Sequence, residues 1–415
     1  MTTSFNDQRR GEGVVLVMPT PPSVSSGPLA VWITAAGWAA AARARWGKAW
    51  LVTSNGIQSP EEARELASQQ GTAVDARTTW RRYVPRELAT LRKDVRDLVR
   101  AYRFRNAAIN GPWNQHDIPF VWQHHEFFQR AGFRLARRRQ CPLVLFVDAP
   151  LVWEAAKWGI RRPGWGRLME KVAERPQLQN ADLVACVSEE VADQVQALGA
   201  PKGRVIVTPC SVDLESFHPK VSGGKVRERS GLENKFVVGW IGTFRRFHGI
   251  DLALQALAIV QGEVSNVGAL LVGDGLERAR MKELSDRLGL QDVVFTGTVP
   301  HAGMADHIAA MDVALVVDPG NGGFHYSPLK LREYMACGAA VVAPDSGQIG
   351  RILSHGKDAL VVEPGSVKSL AEAILQLYRD RSLLENIGRA AAEKMANEGA
   401  WSHQVARVEA ALLQQ

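Results

Sequence analysis

The chain has 415 residues, long for one core, so two or three domains are expected. Its 46% hydrophobic and 22% charged content is that of an ordinary soluble globular protein, with a formal net charge of +7. Four cysteines, Cys141, Cys186, Cys210 and Cys337, show no CxxC or CxH spacing, which argues against disulfides and zinc and for a reducing compartment.

The residues up to Gly13 are polar and are expected to be disordered. Arg9-Arg10 suggests a twin-arginine export signal, but Pro19, Pro21 and Pro22 break the apolar run behind it. Residues 13–42 carry no charge, yet prolines, serines and Gly27 divide them into a strand, a loop and a helix. Residues 29–42 alone fall short of the ~20 apolar residues a membrane span needs, so a cytoplasmic protein is expected. Apolar runs at residues 14–18, 50–52, 143–147, 183–187 and 205–207 read as strands buried on both faces. A second series follows at residues 236–241, 270–272, 293–295, 313–317 and 340–342. Such runs alternating with helical patterns predict an α/β protein with parallel rather than antiparallel sheets. The polar residues 220–234, with Ser222-Gly223-Gly224 and a helix near 226–230, are the linker candidate between the two series. No GxGxxG follows the first strand, which argues against a dinucleotide dehydrogenase.

In the first half, ten basic and three acidic residues lie between Arg77 and Arg105, an excess equal to the net charge of the chain. Trp80, Tyr83, Tyr102 and Phe104 interleave with them. This composition suits an anionic membrane surface or a lipid-diphosphate acceptor; a solvated helix face is the plain alternative. Without a recognisable module, nucleic acid is not expected as a partner. A second basic cluster, Arg130, Arg134 and Arg137 to Arg139, falls on the following helix. His124 and His125 are neighbours on a strand, so they point to opposite faces and do not share a metal; a crevice or packing role is expected. The sequence has no Asp-x-Asp metal motif. Asp148 ends the 143–147 strand and reads as a crevice residue or a turn-former, with Glu154 as a weaker candidate of the same type.

In the second half every candidate loop follows the C-terminal end of a strand, where ligands of open parallel sheets bind. The loop Gly242-Thr243-Phe244-Arg245-Arg246-Phe247-His248-Gly249 offers close backbone approach and positive charge to a diphosphate. Gly273-Asp274-Gly275 and Gly297-Thr298-Val299-Pro300-His301 follow the next two strands. Ser327 is expected to cap a helix with Pro328 at its first position and Gly338 just past its end. Lys330 then sits in the first turn, where the helix dipole disfavours a cation unless an anion binds there beside the amides of Ser327 and Leu329 that flank Pro328. Glu333, one turn on, is placed to accept from sugar hydroxyls.

In their order and spacing, residues 238–249, 271–275, 294–300, 327–342 and 356–365 resemble the retaining GT-B glycosyltransferases of family 4 (glycosyl transferases group 1). Residues 120–128, 142–154, 181–188 and 205–219 carry the resemblance through the first half. It implies two Rossmann-like parallel-sheet domains facing across a crevice. Residues 1–216 would bind the acceptor and 217–399 the nucleotide sugar, with a helix at 400–415 packing back on the first domain. The implied reaction moves a sugar from a nucleotide-diphosphate sugar to a hydroxyl of a glycan, a lipid-linked glycan or a small molecule. It proceeds with retention and needs no metal or other cofactor. The implied donor-binding residues are Gly242, Thr243, Arg245, His248, Gly273, Asp274, Val299, His325, Ser327, Pro328, Leu329 and Glu333. Arg246, Lys330 and Asp148 take the catalytic positions. Two departures stand out: His325 replaces the first of the family's two glutamates, and Thr243 and His248 replace its Arg and Lys. Arg245 and Arg246 lie between the latter two and can restore the charge. These departures keep two alternatives open, an inactive nucleotide-binding scaffold and a nucleotide-sugar epimerase. The basic segment adds the expectation of peripheral attachment at the inner face of the membrane.

Overall fold

The computed structural model describes residues 11–19, 29–69, 85–320, 325 and 327–414. The Arg9-Arg10 pair and residues 77–84 of the basic segment, with Trp80 and Tyr83, lie outside the described residues.

The apolar runs form two sheets because each can be buried only between helical layers. The first sheet comprises β1 (Val14–Val17), β2 (Ala49–Thr53), β3 (Gly56–Gln58), β4 (Val121–His124), β5 (Leu143–Val147), β6 (Leu183–Cys186) and β7 (Val205–Val207), ordered 3-2-1-4-5-6-7. The second comprises β8 (Phe236–Ile241), β9 (Val267–Val272), β10 (Val293–Gly297), β11 (Val313–Leu315), β12 (Ala340–Pro344) and β13 (Leu360–Val362), ordered 10-9-8-11-12-13. All pairings are parallel except β2 with β3, a tight hairpin turned at Ser54 and Asn55, where Asn55 N–H donates to Thr53 Oγ1 at 3.1 Å. That edge hairpin departs from the expected purely parallel sheet.

The first core is rich in indole. Trp38 packs against Trp122 at 6.0 Å, Phe146 at 5.8 Å and Trp401 at 6.4 Å between ring centroids. Trp401 arrives from the last helix, Trp401–Leu413, which buries Val405, Val408 and Leu412 in the same core. The helix Leu29–Trp46 has a glycine where it meets that indole: a Cβ on Gly37 would fall 2.3 Å from Trp401 Nε1. The second sheet has an apolar layer on each face.

Residues 220–234 are not a free linker. The helix Gly224–Ser230 buries Val226, and Leu232 joins it in the second domain's core. Arg227 donates to the carbonyls of Ala310 and Lys235 and pairs with Asp312 at 2.9 Å. The polar composition surrounds a helix with one buried apolar residue, Val226, and an arginine that bonds at the strand ends.

The two domains touch across their crevice. Ser188 Oγ donates to the carbonyl of His325 at 2.5 Å, and Gln348 Nε2 to that of Val187 at 2.9 Å. Arg351 pairs with Glu190 at 2.8 Å, and Trp158 meets Phe247 with ring centroids 4.1 Å apart.

Candidate active site in the crevice

In the second sheet β8 and β11 are neighbours, with connections that leave in opposite directions. Loops diverge at such a switch point and open a crevice beyond the strand ends. Gly242 leaves β8 with φ 154°, its N–H donating to Val272 O at 3.0 Å. A side chain there would enter the space of Lys330, since a Cβ would lie 3.0 Å from Nζ. The loops after β8, β9 and β10 are laced together: Phe244 N–H donates to Asp274 O, Glu277 N–H to Phe244 O, and Gly273 N–H to Gly297 O. Asp274 also turns its own chain, accepting from Gly275 N–H at 2.7 Å. Val299, partly buried, packs on the second core.

The helix Leu329–Ala336 is held to the sheet by Tyr334, whose phenol oxygen accepts the Ile241 N–H at 2.7 Å. The expected Ser327 cap does not form. Pro328 occupies the capping position in extended conformation, and Ser327 Oγ instead accepts from Arg332 Nη1 at 2.8 Å. The helix therefore starts one residue later than the sequence suggested, because the buried Arg332 captures the hydroxyl.

Lys330 is half-buried with Nζ 4.5 Å from the Trp240 ring centroid, and it makes no ion pair among the described residues. Burial pulls its pKa down to about 7 against the opposing pull of Glu333. A cation kept short of partners in a cleft is a receptor for an anion. Glu333 is 6% exposed and accepts from His301 Nε2 at 2.9 Å; the His301 ring lies 5.4 Å from that of Phe217. His301 was named in sequence only as part of its loop. Its place after β10 was the available signal.

The charge expected of His248 is absent. Burial, Lys330 and Arg245 hold its pKa down at about 3, so it is neutral near pH 7, and its Nδ1 bonds the Thr243 carbonyl at 2.5 Å. It shapes the half-buried Thr243 loop and does not supply a cation. Arg245 and Arg246 are exposed at the rim, with Arg246 Nε 3.4 Å from Glu277.

His325 is 2% exposed and belongs to both domains. Its Nε2 lies 3.3 Å from Glu154 Oε1, and its ring sits 4.9 Å from Trp153 and 5.7 Å from Trp158. Glu154, the weaker sequence candidate, is thus brought directly into the crevice, and Trp153, Trp158 and Ser188 join it without any earlier signal. Asp148 Oδ2 pairs with His124 Nε2 at 2.8 Å. Burial opposes a charge on His124, but Asp148 and Glu126 raise its pKa to about 9, so this imidazole is a cation near neutrality. His125 faces the other way, 4.0 Å from Glu174, with its pKa held to about 3 by burial and by His124. Among the described residues no cluster of three His, Cys, Asp or Glu side chains is placed to hold a metal.

Known proteins share this architecture. Residues 31–216 match the family described as Glycosyltransferase Family 4, and residues 235–380 match Glycosyl transferases group 1. D-inositol 3-phosphate glycosyltransferase of Pseudarthrobacter chlorophenolicus is 29% identical over 233 residues, 54% of this chain and 54% of that protein. GDP-mannose-dependent alpha-(1-6)-phosphatidylinositol monomannoside mannosyltransferase of Mycolicibacterium smegmatis is 27% identical over 251 residues, 59% of this chain and 66% of that protein. The chain thus spans between half and two thirds of the length of the curated relatives it matches. Among solved structures, Anabaena HepE in complex with UDP and glucose superposes with TM-score 0.66 at 18% identity, covering 97% of this chain and 100% of that one. The fold is GT-B, two parallel-sheet α/β domains of seven and six strands, and the two matching families support a glycosyltransferase.

Proposed function

We propose that the protein transfers a sugar from a nucleotide-diphosphate sugar to an acceptor hydroxyl, with retention and without a metal. The observation that carries this reading is Lys330, a half-buried cation lacking an ion-pair partner among the described residues, one helical turn from the buried carboxylate of Glu333. In this reading Lys330 and the backbone N–H groups of Ser327 and Leu329 receive the diphosphate, and Glu333 exchanges His301 for the ribose hydroxyls. As the glycosidic bond breaks, negative charge grows on the leaving phosphate, and preorganised positive groups stabilise it. Arg246, tied at the rim to Glu277, swings in to add to them. Asp148, oriented by His124, faces the acceptor from the first domain. In this reading the acceptor attacks on the leaving-group side, without a covalent nucleophile from the protein.

The relatives' names include an inositol phosphate and a phosphatidylinositol glycoside, which supports a lipid-linked or polyol acceptor. In this reading the protein is cytoplasmic and works at the inner face of an anionic membrane. The test is a thermal-shift panel of nucleoside diphosphates and their sugars, followed by product analysis with the base that binds. A product of retained anomeric configuration, formed equally in the presence of a chelator, is expected; inversion or chelator sensitivity would overturn the respective clause. A second reading, a nucleotide-binding scaffold without turnover, is favoured by one observation: His325, in place of the family's glutamate, is already bound to Glu154. Binding without transfer or donor breakdown would select it.

A further inference from the structure

We infer that the helix Arg86–Phe104 seats the protein on an anionic phospholipid bilayer by burying an apolar stripe, with charge only as its companion. The inference deepens the membrane setting proposed above and rests on that reading for the nature of the surface. Leu88, Leu91, Val95, Leu98, Val99 and Tyr102 are between 40% and 64% exposed. They recur every three or four residues, so they share one face of the helix. Surface apolar residues scattered singly need no explanation, but six on one outward face do.

The inward face is the polar one. Asp94 and Asp97 are 3% and 6% exposed, beside Ala101 and Phe104. Asp94 accepts from Arg162 Nε at 2.8 Å and Nη2 at 3.0 Å, and from Trp165 Nε1 at 3.0 Å. Asp97 pairs with Lys93 at 3.0 Å and Arg100 at 3.2 Å. The helix is therefore inverted relative to an ordinary surface helix. It cannot roll its leucines inward without stranding buried carboxylates.

Charge selects the occupant. Arg92, Arg96 and Arg103 are exposed beside the stripe and enter no ion pair among the described residues, while Arg105 lies 3.6 Å from the Tyr102 ring centroid. Glu87 is the helix's one exposed acid. A second copy of the chain would bring like arginines together with little to neutralise them. A bilayer offers hydrocarbon to the stripe and phosphates to the arginines. The placement also suits delivery of an acceptor: Arg100 pairs with Glu126 at 3.3 Å, Glu126 lies 3.8 Å from His124, and His124 pairs with Asp148 in the crevice.

The test is vesicle flotation of the full chain without donor, so its outcome is independent of sugar transfer. Mixed phosphatidylcholine–phosphatidylglycerol vesicles are compared with phosphatidylcholine alone, at low and high salt. Wild type should float with the mixed vesicles and retain part of its binding at high salt. The variant L91S/V95S/L98S should bind about tenfold less or worse even at low salt, where its arginines still act. R92Q/R96Q/R103Q should lose the preference for the anionic lipid. A nucleotide-induced thermal shift equal to wild type shows that each variant is folded. Flotation of the stripe variant at the wild-type level would reduce the helix to electrostatic adsorption and overturn the inference. Wild type that stays unbound, or that forms a dimer which the stripe variant dissolves, would overturn it as well.

Discussion

Lys330 and Glu333 occupy successive turns of one helix, yet opposite circumstances prepare them. Glu333 is already satisfied by His301, so a nucleotide must replace that bond with at least its equal. If ribose hydroxyls do so, Glu333→Ala should weaken nucleotide binding by ~1.5–3 kcal/mol, the range for hydrogen bonds to a charged group, as calorimetry would measure. Lys330 has no such partner, and its pKa near 7 makes binding pH-dependent. A bound diphosphate raises that pKa, so complex formation takes up a proton above about pH 7, and affinity should fall as pH rises by up to about tenfold per unit. Lys330→Met should bind more weakly and lose the slope; an unchanged slope would remove Lys330 from the phosphate site. The same depressed pKa acts on stability with a fixed sign. Between about 7 and the ordinary 10.5 the unfolded chain holds the extra proton, so the free protein gains stability as pH rises through that window. Both residues were legible from their spacing along a single helix. His301 was not, because its contact with Glu333 joins a loop to a helix residue 32 positions on. The neutrality of His248 was equally hidden, since it depends on burial and on Lys330 and not on neighbours in sequence.

At the level of elements, the strands were readable wherever apolar runs are buried on both faces, as in Phe236–Ile241 and Leu143–Val147. Short edge strands such as Gly56–Gln58, exposed and with one apolar residue, carried no such pattern. The helix Arg86–Phe104 shows the limit most clearly. Its charge excess was plain, but which face turns inward is set by Arg162, 68 residues beyond Asp94. Removing one member of this buried pair leaves the other uncompensated. Asp94→Ala should therefore destabilise the first domain by ~3–5 kcal/mol, read by denaturant unfolding. The double variant D94A/R162M should recover much of that loss. Equal stability of Asp94→Ala and wild type would mean that the helix orientation is held by Ala101 and Phe104 alone. The misplaced cap at Ser327 has a local cause instead: the competing donor, Arg332, lies within the helix itself.

Across the whole molecule, two kinds of contact join the halves, and they differ in permanence. The last helix returns to the first core, where Trp401, Val405 and Val408 are buried against the helix Leu29–Trp46. Among the described residues the crevice contacts are local: Ser188 and Glu154 to His325, Gln348 to Val187, Arg351 to Glu190, and Trp158 against Phe247. Such a set fixes a closed arrangement without preventing its opening, as a donor that enters and a nucleotide that leaves require. The aromatic pair is the part most open to test. Trp158 lies in the first domain, and Phe247 belongs to the loop that would hold the diphosphate, so in the proposed reading their contact closes the mouth of the site. An aromatic pair contributes ~0.5–1.5 kcal/mol beyond its buried area, which corresponds to a shift of roughly two- to tenfold in the open-to-closed ratio. Trp158→Ala should admit water to the bound donor. Hydrolysis of the nucleotide sugar should rise relative to transfer by about that factor, with nucleoside diphosphate affinity changed little. Measuring released sugar against transferred sugar in one reaction gives the ratio directly. An unchanged ratio would mean that Trp158 and Phe247 pack together without governing access, and that closure is carried by the neighbouring contacts of His325 with Ser188 and Glu154.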